Sequence, residues 1–125
     1  MARSVLVDTS FLIAFLNDQE SDHVWAVGRT PSFPPPWATC EAVLSEAFHL
    51  VGPRGAPALS GLIRRGAVVV AFGLSNDLES VLDLIEKYAD VPMSFADACL
   101  VRMTEILPDP VILTTDSDLD RKSVV

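Results

Sequence analysis

The feature that most constrains the fold is a series of short apolar runs, separated by longer segments with helical spacing. The first run, residues 5–7, is apolar at every position, as expected of a strand that is buried on both faces of a sheet. Residues 67–72 and 111–114 form two further β-rich runs, and the first of these is expected to be the second parallel strand. The alternation predicts an α/β fold, a three-layer α/β/α sandwich around a mostly parallel central sheet.

The intervening segments carry the end signals of helices. Residues 11–16 predict a short apolar helix, for which Asp8, Thr9 or Ser10 would provide the cap, and residues 23–27 predict a weaker one. In residues 39–51 apolar side chains recur at helical spacing until Gly52 and Pro53 end the helix, and residues 56–65 predict another. Residues 30–36 are rich in proline and must form a loop.

Two helices are predicted in the second half of the chain. Ser75 is the expected cap of the first helix. Its buried stripe is expected to consist of Leu78, Val81, Leu82 and Ile85. Ser94 and Asp97 have the spacing of a capping box, with Asp in place of the usual Glu or Gln, at the start of a helix that reaches about residue 107. Because no repeat or internal boundary is visible, residues 1–125 are expected to form a single domain.

The composition excludes several classes of protein. Half of the residues are hydrophobic and the mean hydropathy is +0.36, which argues against wholesale disorder. No apolar run approaches the roughly 18 residues that cross a bilayer, and the run before Asp8 is too short for a signal peptide. We therefore expect a cytoplasmic protein with no membrane association. Cys40 and Cys99 lie inside apolar patterns and are expected to be reduced core residues, rather than a disulfide or a metal-binding pair.

Four carboxylates occupy positions where an α/β fold binds its ligands. Asp8 and Asp116 follow the first and last apolar runs, and ligands of parallel sheets collect at the carboxyl ends of the strands. Asp97 falls in the first turn of its helix, while Glu46 interrupts an apolar helical stretch. Each alone has a structural alternative as a helix cap, an Asx turn or a solvated helix residue. Together at one sheet edge they would repel one another unless a cation neutralised them, and oxygen ligands favour Mg²⁺ or Mn²⁺ over zinc.

The segments around these acids resemble the four acidic motifs of the PIN-domain family. The matching segments are residues 5–10 (VLVDTS), 44–47 (LSEA), 94–98 (SFADA) and 113–118 (LTTDSD). They occur in the family's order and at close to its spacing, over nearly the whole chain, and the nearest group is the VapC-type toxins of prokaryotic toxin–antitoxin pairs. The resemblance implies a parallel sheet flanked by helices and a ribonuclease activity that depends on Mg²⁺ or Mn²⁺.

The resemblance also implies roles for individual residues. The catalytic and metal-binding acids would be Asp8, Glu46, Asp97 and Asp116. Asp118 would contribute to a second metal position, and Ser10 or Thr115 would orient a carboxylate or a water molecule. Bound cations would lower the pKa of a water molecule for in-line attack on the phosphodiester, without a protein nucleophile. His23 and His49 are then expected to be structural.

Two positions compete for the role of second acid. Glu41 and Glu46 lie on the same predicted helix, about 140° apart around its axis, so they cannot share a face equally. The family's usual context, Ser-Glu-Ala before an apolar run, favours Glu46. The family usually ends in another strand after the fourth motif, and residues 120–125 leave room for only a very short one.

The partners implied by the resemblance are an RNA substrate, a cognate antitoxin and a second copy of the chain. A net charge of −8 repels nucleic acid at long range, so RNA would need local basic contacts. The candidates are Arg54, Arg64, Arg65 and Arg102. Phe33, Trp25 and Trp37 would either stack on bases or pack in the core or a dimer interface. The alternative function is a catalytically inactive PIN-like scaffold or a regulatory interaction module.

Overall fold

In the computed structural model, residues 3–116 are described, and their strands and helices alternate along the chain. The elements are β1 (Ser4–Val7), α1 (Thr9–Leu16), α2 (His23–Gly28), β2 (Trp37–Thr39), α3 (Glu41–Arg64), β3 (Val68–Val70), α4 (Leu74–Lys87), α5 (Phe95–Ile106) and β4 (Pro110–Leu113). Helices cover the sheet, which confirms the predicted three-layer α/β/α sandwich. Within residues 3–116, no helix is long and apolar enough to cross a membrane.

The sheet has the strand order β3-β2-β1-β4, and every neighbouring pair is parallel. β1 lies between β2 and β4, so the apolar residues 5–7 are buried on both faces, as the sequence predicts. Val7 is in register with Leu113 of β4. The residues that follow these two strands, Asp8 and Thr114, therefore emerge side by side at the carboxyl edge of the sheet.

The sequence prediction missed β2. Residue 39 was expected to begin a helix, but Thr39 ends this strand, and its Oγ1 donates a 2.9 Å hydrogen bond to the carbonyl of Val7. The helix begins two residues later, with Cys40 at its N-cap. Three residues are too few to show a period of two, so β2 left no signal in the pattern. Consequently the run at residues 67–72 supplies the third strand, at the edge of the sheet, and not the second.

The predicted stop at Gly52 corresponds to a sharp break within α3. Gly52 has φ 66° and ψ −172°, a conformation that is essentially restricted to glycine, and the two halves of α3 meet there at a kink. Pro53 follows and has no N–H to continue the helical hydrogen bonds. The first half carries Glu46, and the second half runs to Arg64.

The prediction for α4 was wrong in its cap and in part of its buried face. Gly73 is the N-cap rather than Ser75, and no side chain caps the N-terminus of this helix with a hydrogen bond. Leu78 and Leu82 are 44% and 40% exposed, whereas the buried residues are Val81 and Leu84. Leucines repeat on more than one side of this helix, so spacing alone does not reveal which side faces inward.

The orientation of α4 is accounted for by its contact with α5. Asp77 accepts a 3.0 Å hydrogen bond from Nε of Arg102 on α5, and Val81 lies one helical turn after Asp77 on the same face. In the same packing, Val81 and Leu84 are buried and Leu78 is at the surface.

Aromatic side chains and the two cysteines belong to the core between the sheet and its helices. Trp37 is fully buried, and its ring packs edge-on against Phe11 and Phe15 of α1, which gives Trp37 a core role. Cys40 and Cys99 are both buried, which confirms the prediction that they are core residues.

Candidate metal centre

Asp8 joins β1 to α1 and is held by donors from both ends of the chain. Its Oδ1 accepts hydrogen bonds of 2.8 Å from the backbone N–H of Phe11 and from Ser10 Oγ. Its Oδ2 accepts a hydrogen bond from Thr114 Oγ1. The residue is 4% exposed. Asp8 is thus the N-cap of α1, as one structural alternative proposed, and also a rigidly oriented carboxylate at the sheet edge.

The pKa of Asp8 is raised above the ordinary value of an aspartate. Burial is the largest cause, because it removes water from the charged form, and the nearby negative charge of Asp97 adds to it. The hydrogen bonds from Thr114, Phe11 and Ser10 act in the opposite direction without cancelling the rise. A nearby cation would stabilise the charged form of such a buried carboxylate, so Asp8 is a candidate metal ligand.

Thr114 is a site residue that the sequence prediction missed. Besides donating to Asp8, its Oγ1 accepts a 2.8 Å hydrogen bond from the backbone N–H of Asp116. It also lies 3.3 Å from Ser10 Oγ. The signal was available in principle, because Thr114 is the first hydroxyl residue after β4 and Asp8 follows the neighbouring strand. This signal is usable only when the register between β1 and β4 is known.

Ser10 and Thr115 take different parts in this arrangement. Ser10 orients the Asp8 carboxylate through its hydroxyl, and its Oγ accepts a 3.1 Å hydrogen bond from the backbone N–H of Thr115. Thr115 therefore contributes its backbone rather than its hydroxyl to this contact. The first and fourth acidic segments are fastened together by these bonds.

The structure distinguishes the two candidate glutamates on α3. Thr9 Oγ1 donates a 3.0 Å hydrogen bond to Glu46 Oε1, which ties the carboxylate to the start of α1 beside Asp8. Both glutamates are exposed, but Glu46 lines the acidic pocket and Glu41 does not. Thr9 was not among the predicted site residues.

Asp97 combines its structural and its predicted functional positions. It forms the predicted capping box: its N–H donates to Ser94 Oγ at 3.0 Å, and its Oδ2 accepts from the N–H of Ser94 at 3.4 Å. The same residue lines the pocket with Asp8. Asp97 thus belongs to the cap of α5 and is also a carboxylate at the edge of the sheet.

The four predicted acids all line one open pocket of about 310 Å³. They come from four separate segments: the end of β1, the first half of α3, the start of α5 and the segment after β4. Among residues 3–116, no three His, Cys, Asp or Glu side chains are grouped closely enough to hold one ion directly. Asp118 and the expected last strand lie outside the described residues.

The donor set of this pocket fits a hard divalent cation. All four candidates are carboxylates, and neither a histidine nor a cysteine lines the pocket. Mg²⁺ retains several water molecules and is commonly held by one or two carboxylates, so it does not require a closed cage of protein ligands. The raised pKa of the buried Asp8 adds to this fit, because a cation stabilises the charged form.

Among the four predicted RNA-contacting arginines, Arg54 lies in a groove that adjoins the acidic pocket. It lines a groove of about 440 Å³ between α1 and α3, and Leu50 belongs both to this groove and to the acidic pocket. Arg102 instead forms ion pairs with Asp77 and Glu105, which joins α4 to α5. Arg64 and Arg65 are exposed at the C-terminal end of α3 and do not line the pocket.

The histidines and the remaining aromatic residues lie outside the pocket. His23 Nδ1 is hydrogen-bonded at 2.8 Å to the carbonyl of Ala14, which joins α2 to α1, and His49 is exposed on α3. Trp25 is 41% exposed and stacks beneath the guanidinium of Arg29. These contacts give His23 a structural role and place Trp25 on the surface of α2.

The described residues thus form an α/β protein in which four carboxylates lie at the carboxyl edge of a parallel sheet. The sequence model of the PIN domain matches residues 5–125, and the chain therefore belongs to the PIN-domain family. No curated protein matches the sequence at a significant level.

A solved structure supports the VapC type within this family. VapC20 of Mycobacterium tuberculosis, described as a toxin that cleaves the sarcin–ricin loop, superposes with a TM-score of 0.81 at 26% sequence identity. The match covers 98% of this chain and 97% of that chain. The predicted family and fold are both confirmed by these comparisons.

Proposed function

We propose that this protein is an endoribonuclease of the VapC type, which hydrolyses RNA phosphodiester bonds with Mg²⁺ or Mn²⁺ as its cofactor. The observation that carries the proposal is the convergence of four carboxylates from separate segments on one pocket, in a chain of the PIN-domain family. The similarity to a toxin that cleaves the sarcin–ricin loop supports RNA as the substrate.

Asp8 and Glu46 would hold the cation from two sides of the pocket. Oδ1 of Asp8 already accepts two hydrogen bonds, from Phe11 and Ser10, so Oδ2, with its single donor Thr114, retains more capacity for a further ligand. Glu46 is restrained by Thr9, which keeps its carboxylate on the side of α3 that faces Asp8. Asp97 and Asp116 complete the negative wall of the pocket.

The chemistry needs no protein nucleophile. When bound, the cation would activate water for in-line attack on phosphorus and stabilise charge on the leaving oxygen, and the family resemblance implies a 5′-phosphate product. The protein's part is to fix the carboxylates before the substrate arrives, through the donors Ser10, Thr114 and Thr9. Fixed positioning lowers the reorganisation that the reaction would otherwise require.

The RNA strand would approach along the groove that contains Arg54. This groove adjoins the acidic pocket at Leu50, whose side chain is 63% exposed. A cation at the acids and the guanidinium of Arg54 would provide positive charge on a protein whose net charge is −8.

Two partners belong to the same proposal, in the cytoplasm where the RNA is found. A cognate antitoxin would hold the activity in check, and a second copy of the chain would form a homodimer. Exposed apolar side chains support association, including Val24 on α2 and Leu78 and Leu82 on α4. Light scattering after size exclusion would measure the dimer directly.

The two glutamates of α3 provide a matched test of the proposed activity. We expect Glu46→Gln to reduce cleavage of a structured RNA hairpin by at least about tenfold, since one charge is lost from the metal site. Glu41→Gln removes the same charge from the same helix and should cleave like the wild type. Cleavage should require added Mg²⁺ or Mn²⁺.

Calorimetric titration of the metal separates this proposal from the inactive-scaffold alternative. Asp8→Asn should abolish both metal binding and cleavage while the circular dichroism spectrum stays that of a folded protein. Cleavage without added metal, or an Asp8→Asn variant that cleaves like the wild type, would contradict the proposal. Absence of any metal binding that Asp8→Asn abolishes, together with absence of cleavage, would favour the scaffold.

A further inference from the structure

One exposed apolar side chain lies where three depressions of the surface meet. Leu50, on the first half of α3, lines the acidic pocket, the groove of Arg54 and a third depression of about 250 Å³ beside residues 20–22. Among residues 3–116, it alone lines all three. Leu50 is 63% exposed, so most of its side chain is available to a ligand. A strand that enters the acidic pocket from the groove therefore passes beside Leu50.

The helix fixes Leu50 relative to a proposed metal ligand. Leu50 follows Glu46 by four residues, so the two side chains lie on the same face of α3, about one turn apart. Glu46 lines the acidic pocket and is restrained by the hydrogen bond from Thr9. Leu50 precedes the break at Gly52 and belongs to the same regular half of the helix as Glu46. Its distance from the acids is thus set by a rigid element.

The walls of the third depression suit an uncharged base better than a phosphate. Glu20 and Asp22 line it, and their negative charges would repel a phosphate. Their carboxylate oxygens can accept hydrogen bonds from the amino or imino groups of a base. Ile13 and Ala14 supply apolar surface against which the face of a base can pack.

The groove that meets this depression at Leu50 and Ile13 suits the backbone of a strand. It contains Arg54, which has no ion-pair partner within residues 3–116, so its charge is available to a phosphate. Asp18 also lines the groove, and its carboxylate accepts a 3.1 Å hydrogen bond from Nε2 of Gln19. Leu50 therefore lies between a depression that disfavours phosphate and a groove with an unpaired arginine.

We infer that Leu50 is a substrate-positioning residue, whose side chain inserts between two neighbouring bases of the RNA and turns one of them into the third depression. The inference rests on the proposed function. Leucine is among the apolar side chains that other nucleic-acid-binding proteins insert between stacked bases. The backbone would follow Arg54 toward the acids. A strand opened in this way presents the phosphate between the two separated bases to the acidic pocket, which Leu50 also lines.

A fluorescent base tests the separation directly. The wild type is used with Mg²⁺ to locate the cleaved bond in an RNA hairpin. The base beside that bond is then replaced by 2-aminopurine, a fluorescent adenine analogue that stacking quenches. The labelled hairpin is bound with Ca²⁺ as the divalent cation. We expect its fluorescence to rise with the wild-type protein and to stay near that of the free RNA with Leu50→Ala.

The cleavage rate provides a second readout. Leu50→Ala should lower the maximal rate at least about tenfold, because small displacements of reacting groups have effects of this size. Leu50→Met keeps the apolar bulk and should recover most of the rate and of the fluorescence rise. Urea denaturation should show equal stability for Leu50→Ala and the wild type, since substitution of an exposed side chain rarely changes stability.

Ile106 provides the matched control. It is 43% exposed at the end of α5 and lines none of the three depressions. Ile106→Ala removes a comparable apolar side chain and should match the wild type in fluorescence and in rate. Equal losses in Ile106→Ala and Leu50→Ala would overturn the inference, because they would reflect exposed apolar surface in general.

The outcomes separate this inference from the proposed function. If Leu50→Ala cleaves at the wild-type rate or gives the same fluorescence rise, the inference is overturned while the ribonuclease stands. Loss of self-association in that variant, with cleavage unchanged, would assign Leu50 to a protein interface instead. If the wild type binds RNA without cleaving it, the proposed activity fails. A fluorescence rise in the hairpin loop that requires Leu50 would then still support the positioning role, and its absence would overturn it.

Discussion

At the scale of single residues, Asp8 combines a helix cap with the place of a proposed metal ligand, and the two requirements conflict in the metal-free protein. Its carboxylate caps α1, yet it is buried and close to the negative charge of Asp97, and both conditions raise its pKa. A cap residue on the surface would avoid this cost. The fold therefore accepts a destabilised acid at the place where a cation would relieve it.

The raised pKa of Asp8 predicts how stability depends on pH. The folded state holds this proton more tightly than the unfolded chain, so stability of the metal-free protein should fall as pH rises from the ordinary value of 3.8 through the folded pKa. Above that pKa the loss is complete. Urea unfolding in a chelator across this range measures the effect.

Two variants separate the contribution of Asp8 to the pH dependence of stability from the contributions of other acids. Asp8→Asn cannot titrate and should lack this decline, while substitution of the exposed Asp90 by Asn should retain it. A decline of equal size in Asp8→Asn and the wild type would show that other groups cause it.

The hydroxyl of Thr114 links Asp8 to Asp116, so its removal should disturb the positions of both residues. Thr114→Val loses the donor to Asp8 Oδ2 and the acceptor of the Asp116 N–H. We expect metal affinity or cleavage to fall by about 10- to 100-fold, the usual effect of removing a group that orients a ligand. Thr114→Ser keeps the hydroxyl and should recover most of the loss in calorimetry and RNA cleavage assays. A Val variant with unchanged affinity and rate would assign Thr114 to packing alone.

At the scale of elements, the break in α3 depends on one glycine. Gly52 has φ 66°, and an added Cβ would meet no atom within 4 Å, so substitution should cost backbone energy alone. We expect Gly52→Ala to lower the free energy of unfolding by about 1–3 kcal/mol, measured by urea denaturation. Gly28 also has open space around it, without a positive φ, and Gly28→Ala is the matched control. Equal stabilities of the two variants would contradict a strained conformation at residue 52.

The elements also show which parts of the fold could be predicted from sequence. β1 and the capping box at Ser94 have strong local signals, a continuous apolar run and a fixed pair of polar residues. β2 has only three residues, and its burial is decided by neighbours that are distant in the chain. The inward face of α4 is likewise decided by its packing against α5, which no local pattern contains.

The residues of the candidate site also divide into those that the sequence predicts and those that it does not. The positions of Asp8 and Asp116 follow from the rule that ligands collect at the carboxyl ends of parallel strands. Thr9 and Thr114 make their contacts with acids far away in the chain, Glu46 and Asp8 respectively. Such partners are assigned by strand order and helix packing, which the sequence pattern alone did not provide.

At the scale of the whole molecule, the proposed function requires an acidic protein to bind an acidic polymer. The net charge is −8, so the proposed RNA contact would be concentrated in a few basic side chains and the bound cation. Arg54, in the groove beside the acidic pocket, is the described arginine best placed for such a contact, since Arg102 is paired with Asp77 and Glu105.

This placement predicts unequal effects for two arginines on α3. Arg54→Ala should weaken RNA binding and reduce the slope of log affinity against log salt by about 1. Arg64→Ala removes the same charge at the far end of the helix and should leave both quantities near those of the wild type. RNA affinity is measured by fluorescence anisotropy of a labelled RNA at several salt concentrations, with Ca²⁺ as the divalent cation. Equal effects of the two substitutions would indicate only a general dependence on net charge.

The pairing of β1 with β4 has a consequence for the order of events during synthesis. β1 is made first among the strands, but Asp8 receives its second anchor only from Thr114, 106 residues later in the chain. When only the first three strands have been synthesised, the pocket lacks the wall that the segment after β4 provides. The pocket is therefore complete only after the segment that follows β4 has been synthesised and β4 has paired with β1.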